Sequence, residues 1–263
     1  MLIIGERISI LAKKMRDAML SRDPKPIQER AVAQVEGGAD MLDVSIGPAD
    51  EGGEELMDWV VKTVQEAAHV PLCLDTTNPK AMEAGLKAHN AAWGRPMINS
   101  TDGTEERMNT MLPLAAKYNA DIIALTLSGS GIPATAEDRC GIASEIMSKA
   151  LEFGLPLENI FLDPLILAIN CMQDQAKEGI RSIRLFQEIN DPPMKTSVGL
   201  SNISNGSPKV MKEIINRTYL SLLIYEGLTA AIADPTDKAL MDVVKTTEML
   251  LGKRLYAHSF LDL

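Results

Sequence analysis

Met41-Leu42-Asp43-Val44-Ser45-Ile46, the stretch from Glu54 to Ala68, and Leu72-Cys73-Leu74-Asp75 together decide the fold. The first and last pieces are short runs, continuous in apolar character, as expected of parallel strands covered on both faces. Between them Leu56, Met57, Val60, Val61, Val64 and Ala67 recur at helical spacing, opposite Glu55, Asp58, Lys62 and Glu66. Strand, helix and strand in that order form a crossover unit with parallel strands and a right-handed connection.

The same alternation extends outward in both directions. Further strands are expected at Leu2 to Gly5, Met97 to Ile98, Ile122 to Thr126, Ile160 to Leu162, Ser197 to Leu200 and Thr229 to Ala233, making eight. A helical stripe of Ile142, Ile146, Met147, Ala150 and Leu151 stops at Phe153-Gly154-Leu155-Pro156, where glycine supplies a left-handed residue and proline forbids continuation. Gly37-Gly38 and Gly227 end other helices. Asp102-x-x-Glu105 reads as a capping box, and Pro113 as a kink or break in the helix that follows, because an interior proline costs roughly 3 kcal/mol. Eight strand-then-helix repeats close either as an open doubly wound sheet or as a barrel, and no G-x-G-x-x-G turn follows the first strand. The expectation is an α/β protein, a single (β/α)8 TIM barrel. Residues 1–263 form one domain in this reading, since no Ser/Gly-rich linker or composition shift divides them, and such barrels use about 250 residues.

The bulk composition excludes several classes. The chain is 46% hydrophobic and 24% charged, ample for a large core, and its net charge of −10 argues against a nucleic-acid partner. Cys73, Cys140 and Cys171 form no C-x-x-C pair, so neither a disulfide framework nor a zinc motif is expected, and a reducing cytoplasm fits. The N-terminal apolar run reaches Gly5-Glu6-Arg7 too soon for a signal peptide, and no later run approaches the ~20 residues of a membrane span.

In a barrel of this kind chemistry gathers at the C-terminal strand ends. Those ends read Glu6-Arg7, Asp43 to Ser45, Asp75, Asn99-Ser100, Thr126, Asp163, Ser201-Asn202 and Asp234. Any one of them alone reads equally well as a helix N-cap. As a ring of carboxylates and carboxamides they suit a heterocycle such as a pterin, whose amide N–H and amine need carboxylate acceptors and whose carbonyl and ring nitrogens need carboxamide donors. Asp75, Asn99 and Asp163 have that chemistry.

At these residues the chain resembles the methyltetrahydrofolate:corrinoid protein methyltransferase family, related to the folate domain of cobalamin-dependent methionine synthase and, more distantly, to dihydropteroate synthase. The most specific stretch runs from Leu74-Asp75-Thr76-Thr77 through Glu83-Ala84-Gly85-Leu86-Lys87 to Ile98-Asn99-Ser100. Gly5-Glu6-Arg7-Ile8, Leu162-Asp163-Pro164-Leu165 and Gly199-Leu200-Ser201-Asn202 also match. The resemblance implies that Asp75, Asn99 and Asp163 hold the pterin of tetrahydrofolate or 5-methyltetrahydrofolate. It implies that Asn202 is the catalytic hydrogen-bonding group at N5, and that Asn205 and Lys212 lie near the folate. It further implies a cobalamin-type corrinoid brought by a partner protein, either a corrinoid iron–sulfur protein or the corrinoid protein of a demethylating system, together with a homodimer and no intrinsic metal. No D-x-H-x-x-G cobalamin motif is present, consistent with a corrinoid held elsewhere. Ser9 and Ser45 stand where the family usually has asparagine, and at both a water in place of a direct contact is expected. Lys209, Lys212 and Arg217 read either as partners for folate-tail carboxylates or as a solvated helix face. A dihydropteroate synthase-like pterin enzyme and a non-catalytic folate-binding barrel are the alternatives.

Overall fold

The computed structural model describes residues 1–261. Eight parallel strands form at the apolar runs: β1 (Leu2–Ser9), β2 (Met41–Ser45), β3 (Leu72–Asp75), β4 (Met97–Asp102), β5 (Asp121–Leu125), β6 (Ile160–Asp163), β7 (Lys195–Thr196) and β8 (Ala230–Ala233). Their order around the sheet is β7-β6-β5-β4-β3-β2-β1-β8, a nearly closed barrel. Thr196 N–H donates to Thr229 Oγ1 at 2.7 Å and Ile232 N–H to the Val198 carbonyl at 2.9 Å, which carries the last seam between β7 and β8.

Nine helices among the described residues wrap this cylinder: α1 (Lys13–Ser21), α2 (Pro24–Glu36), α3 (Gly53–Ala67), α4 (Pro79–Ala88), α5 (Glu105–Tyr118), α6 (Ala136–Glu152), α7 (Gln173–Glu188), α8 (Lys209–Tyr225) and α9 (Lys238–Leu250). No helix among the described residues is long and apolar enough to cross a membrane. Successive strand residues serve different layers. Ile4, Met41, Cys73, Met97, Ile123, Phe161 and Ala230 fill the barrel interior. Their sequence neighbours Leu42, Leu72, Leu74, Ile98, Ile122, Ala124, Ile160 and Leu162 face the helices.

Three local expectations need correction. The strand expected at Ser197–Leu200 lies earlier, at Lys195–Thr196. The chain leaves the ladder there, keeping a bridge from Gly199 to Ile232, and Leu200–Ser204 winds into a 3-10 turn. Pro113 does not end α5, because Met108, Met111, Leu112 and Ala115 anchor that helix in the core on both sides of it. The N-cap of α5 is Thr104, whose hydroxyl accepts from Arg107 N–H, while Asp102 accepts from Thr104 in a tight turn before the helix.

Candidate active site

Strand parity determines which strand-end residues face the barrel axis. Met41 is interior, so Asp43 and Ser45 point the same way; Cys73 carries Asp75 with it, Met97 carries Asn99, and Phe161 carries Asp163. In register, Ser9 stands beside Ser45, Ser45 beside Asp75, and Asp75 beside Asn99. This makes a polar row across β1 to β4. Asp163 closes β6 next to Leu125 of β5, and Thr126 holds the Asp163 carbonyl through both its N–H and its hydroxyl.

Asp43 lies one inward step below that row. Its Oδ1 accepts from Asn99 Nδ2 at 3.1 Å, which fixes the orientation of the carboxamide and leaves its oxygen and second N–H free. Burial, and next the charge of Asp75, pushes the Asp43 carboxyl up to about 8, against the pull of the Asn99 hydrogen bond. Burial likewise raises Asp75, opposed by the Ser45 hydroxyl that donates to it. Like charges this close disfavour double ionisation, so one proton is shared over the pair near neutrality. Asp163 is pushed up to about 7 by burial, opposed by the Leu165 N–H at 2.7 Å and by the Arg139 guanidinium. Glu6 is raised by burial, with the Ser201 hydroxyl at 2.7 Å working the other way.

Asn202 lies exposed in the 3-10 turn after β7. The Ser201–Glu6 hydrogen bond ties this turn to β1. A Cβ at position 199 would stand 3.0 Å from Asn202 Nδ2, so Gly199 leaves the room the amide occupies. Asn205 ends the turn, exposed, donating its N–H to the Asn202 carbonyl at 3.1 Å. Lys212 is half-buried on α8 and lines a side cavity of about 520 Å³ that shares Glu6 and Ser201 as walls. Asp75, Asn99, Asp163 and Asn202 therefore stand at one end of the barrel, the first three on its inner face. Asn205 is at the rim and Lys212 beyond it.

The two serines are occupied by the protein itself. Ser45 serves Asp75, and Ser9 Oγ accepts the Leu11 N–H at 3.3 Å. Asp43 and Glu6, which the sequence places in the strand-end ring without a binding role, join the site as supports: Asp43 orients Asn99 and Glu6 holds Ser201. The signal for Asp43 is the spacing Met41-x-Asp43-x-Ser45, which a reading of β2 as apolar on both faces hides.

A barrel with this ring at its C-terminal mouth has the architecture of a pterin-binding enzyme. The chain belongs to that family: residues 10–233 match the family described as pterin binding enzyme. It is 31% identical to a methylcorrinoid:tetrahydrofolate methyltransferase of Eubacterium limosum, over 99% of this chain and 96% of that protein. It is also 29% identical to the methionine synthase of Mycobacterium tuberculosis and 30% identical to that of Mycobacterium leprae, in each case over 88% of this chain and 20% of the larger enzyme. The chain thus spans about a fifth of the methionine synthases and nearly all of the shorter relative.

Proposed function

We propose that this chain is a methyltransferase moving a methyl group between a corrinoid on a partner protein and N5 of tetrahydrofolate. The observation that carries the reading is the inward-facing set of Asp75, Asn99 and Asp163 at the mouth of a barrel whose full length matches such an enzyme. The donor set fits a pterin: Asp163 and Asp75 accept from its amide N–H and amine, and Asn99, oriented by Asp43, addresses its carbonyl and ring nitrogen. Residues 1–263 act as one pterin-binding domain in this reading, and the compartment is the cytoplasm.

The corrinoid supplies a cobalt centre that exchanges a methyl group with a nucleophile, and this chemistry belongs to the cofactor. The barrel supplies position and electrostatics. When N5 takes the methyl it sheds its proton; in reverse, N5 must gain a proton as its bond to the methyl carbon breaks, since nitrogen would otherwise leave as an anion. Asn202 hydrogen-bonds to N5 as charge changes there, and its exposed position lets solvent exchange the proton. The relative's name puts methylcorrinoid on the donor side. The same direction is assigned here, with the corrinoid protein of a demethylating system as partner in preference to a corrinoid iron–sulfur protein. Capture from native cells followed by mass spectrometry decides between them.

Asn202→Ala should bind tetrahydrofolate within a modest factor of wild type yet transfer methyl on the order of 10² to 10³ more slowly in single turnover with free methylcobalamin. An unchanged rate removes Asn202 from the chemistry. Binding without turnover in the wild type would favour a non-catalytic barrel. The dihydropteroate synthase-like alternative needs a glycine-rich turn after β6. Asp163-Pro164-Leu165-Ile166 stands there instead, with Leu165 itself in the left-handed region at φ 61°. For the homodimer, support comes from an apolar groove between α8 and α9 bordered by exposed Leu222, Tyr225 and Leu250. Sedimentation velocity tests it, and a monomer at micromolar concentration excludes it.

A further inference from the structure

The side cavity next to the pterin site has its own chemistry, and the inference drawn from it rests on the folate reading above. Its walls are the ends of β1 and β8, the turn after β7 and the first turns of α8 and α9. Glu6, at the end of β1, and Ser201, beside Asn202 in the turn after β7, line it and are hydrogen-bonded to each other at 2.7 Å, so the cavity adjoins the strand ends that carry the pterin residues.

Most of the charges in this cavity are already paired. Arg217 grips Asp237 through three contacts of 2.7, 3.0 and 3.2 Å and reaches Glu213 at 3.2 Å, and Arg7 lies 3.5 Å from Asp234. Glu6 is engaged by Ser201. Lys212 and Lys238 are different, because neither has an acid within ion-pair range among the described residues. A third feature is independent of charge: Asn216 Oδ1 is buried with no hydrogen-bond partner among the described residues, an acceptor lacking its N–H. The occupant that completes this set carries anionic groups for two ammonium ions and an N–H for one carboxamide oxygen. A lone phosphate offers no N–H in its ionised form and fills little of 520 Å³.

We propose that the cavity holds the glutamyl tail of the folate, with carboxylates at Lys212 and Lys238 and a tail amide N–H at Asn216. Lys209, exposed at the start of α8 and outside the cavity, takes no part, and Arg217 is held by Asp237. The assignment also bears on how an acidic chain accepts an acidic substrate: Glu6, Glu213, Asp234 and Asp237 in the cavity are matched in number by Arg7, Arg217, Lys212 and Lys238, and the two lysines are the cations outside the ion pairs.

Equilibrium binding to the full chain tests this with three ligands, a tail-free tetrahydropterin, monoglutamyl tetrahydrofolate and its tri-γ-glutamyl form. Wild type should bind the triglutamate roughly three- to tenfold more tightly than the monoglutamate, from two solvent-accessible charge pairs. That gain should shrink as ionic strength rises. In a Lys212→Ala/Lys238→Ala double variant, confirmed folded by circular dichroism, the triglutamate-to-monoglutamate ratio should fall towards one. Lysines with a merely structural role would shift all three ligands together and preserve the ratio, which would overturn the proposal. So would a wild type indifferent to tail length. If the tail-free pterin binds and the ratio ignores the lysines, the tail site alone is wrong; if that pterin does not bind at all, the pterin site itself falls.

Discussion

In the proposed pterin site, Asp163 is an acid whose ionisation state bears directly on ligand binding. It is buried beside the Leu165 N–H with its carboxyl lifted to about 7, and a pterin that offers N–H groups binds the carboxylate form. Below that value the protein must release a proton to bind. Affinity should therefore fall by up to about tenfold per pH unit as pH drops below 7, and level off above it. Calorimetry at pH 6.5 in buffers of different ionisation heat should register the released proton. Asp163→Asn should abolish the dependence and weaken binding by roughly 10- to 100-fold, from the loss of charge-assisted hydrogen bonds; a slope that persists in the variant assigns the proton elsewhere. Asp163, Asp75 and Asn99 were legible in the sequence because each ends or interrupts an apolar strand, whereas Asn202, read there as following a strand, lies in the 3-10 turn beyond it. Asp43 was legible as a member of the ring but its role was not, because only the register and the Asn99 hydrogen bond show that it faces inward below Asp75 and orients the carboxamide. Lys238 was hidden for another reason, since its importance comes only from what its neighbours have already paired with.

The turn Gly199–Ser204 is the element that brings the proposed chemistry to the pterin, and β7 is short so that this turn can begin early. Gly199 has φ −80°, which alanine adopts freely, so replacing it tests contact and not backbone strain. The added methyl would meet Asn202 Nδ2 at 3.0 Å and push the amide aside. Gly199→Ala should cost little stability, under about 1 kcal/mol, yet slow single-turnover methyl transfer by on the order of 10- to 100-fold through misplacement of one group. The two substitutions share one contact, so Gly199→Ala should add almost nothing on top of Asn202→Ala. Additive losses would mean that the turn acts by some route other than Asn202. At this scale the sequence reading fails in the same region. Val198 and Leu200 supply a strand-like pattern, but the pairing that would extend it is replaced by the Gly199–Ile232 bridge and the 3-10 turn. Pro113 misleads in the opposite direction, because tertiary packing of Met111, Leu112 and Ala115 outweighs a local propensity. The other seven strands and the helix ends at Gly38, Gly154 and Gly227 are where periodicity and stop signals put them.

Across the whole molecule, the buried acids of the mouth act against the stability of the barrel that presents them. Asp43 is held near 8 by burial and by Asp75, against roughly 4 in an unfolded chain, so the folded protein binds the extra proton between those values. Its cost is absent below pH 4, grows as pH rises, and is complete above about 8. His89 has the opposite sign: burial pulls it down to about 4 while its Nε2 accepts the Leu72 N–H at 3.3 Å. The stability it contributes is fully present above about 6.5 and lost as pH falls towards 4. Between pH 6.5 and 8.5 the histidine is therefore silent and the acids alone set the slope. The ligand-free protein should lose up to about 2 kcal/mol over this window through Asp43, seen as a falling midpoint in thermal or urea unfolding. Asp43→Asn keeps an oxygen to accept from Asn99 but cannot ionise, so it should remove most of the slope above pH 7 and be the more stable protein at pH 8.5. It should also let Asp75 ionise at lower pH, because the proton the two acids share is gone. A variant with the wild-type slope would show that the acid pair at the base of the polar row is not where the barrel gives up stability for binding.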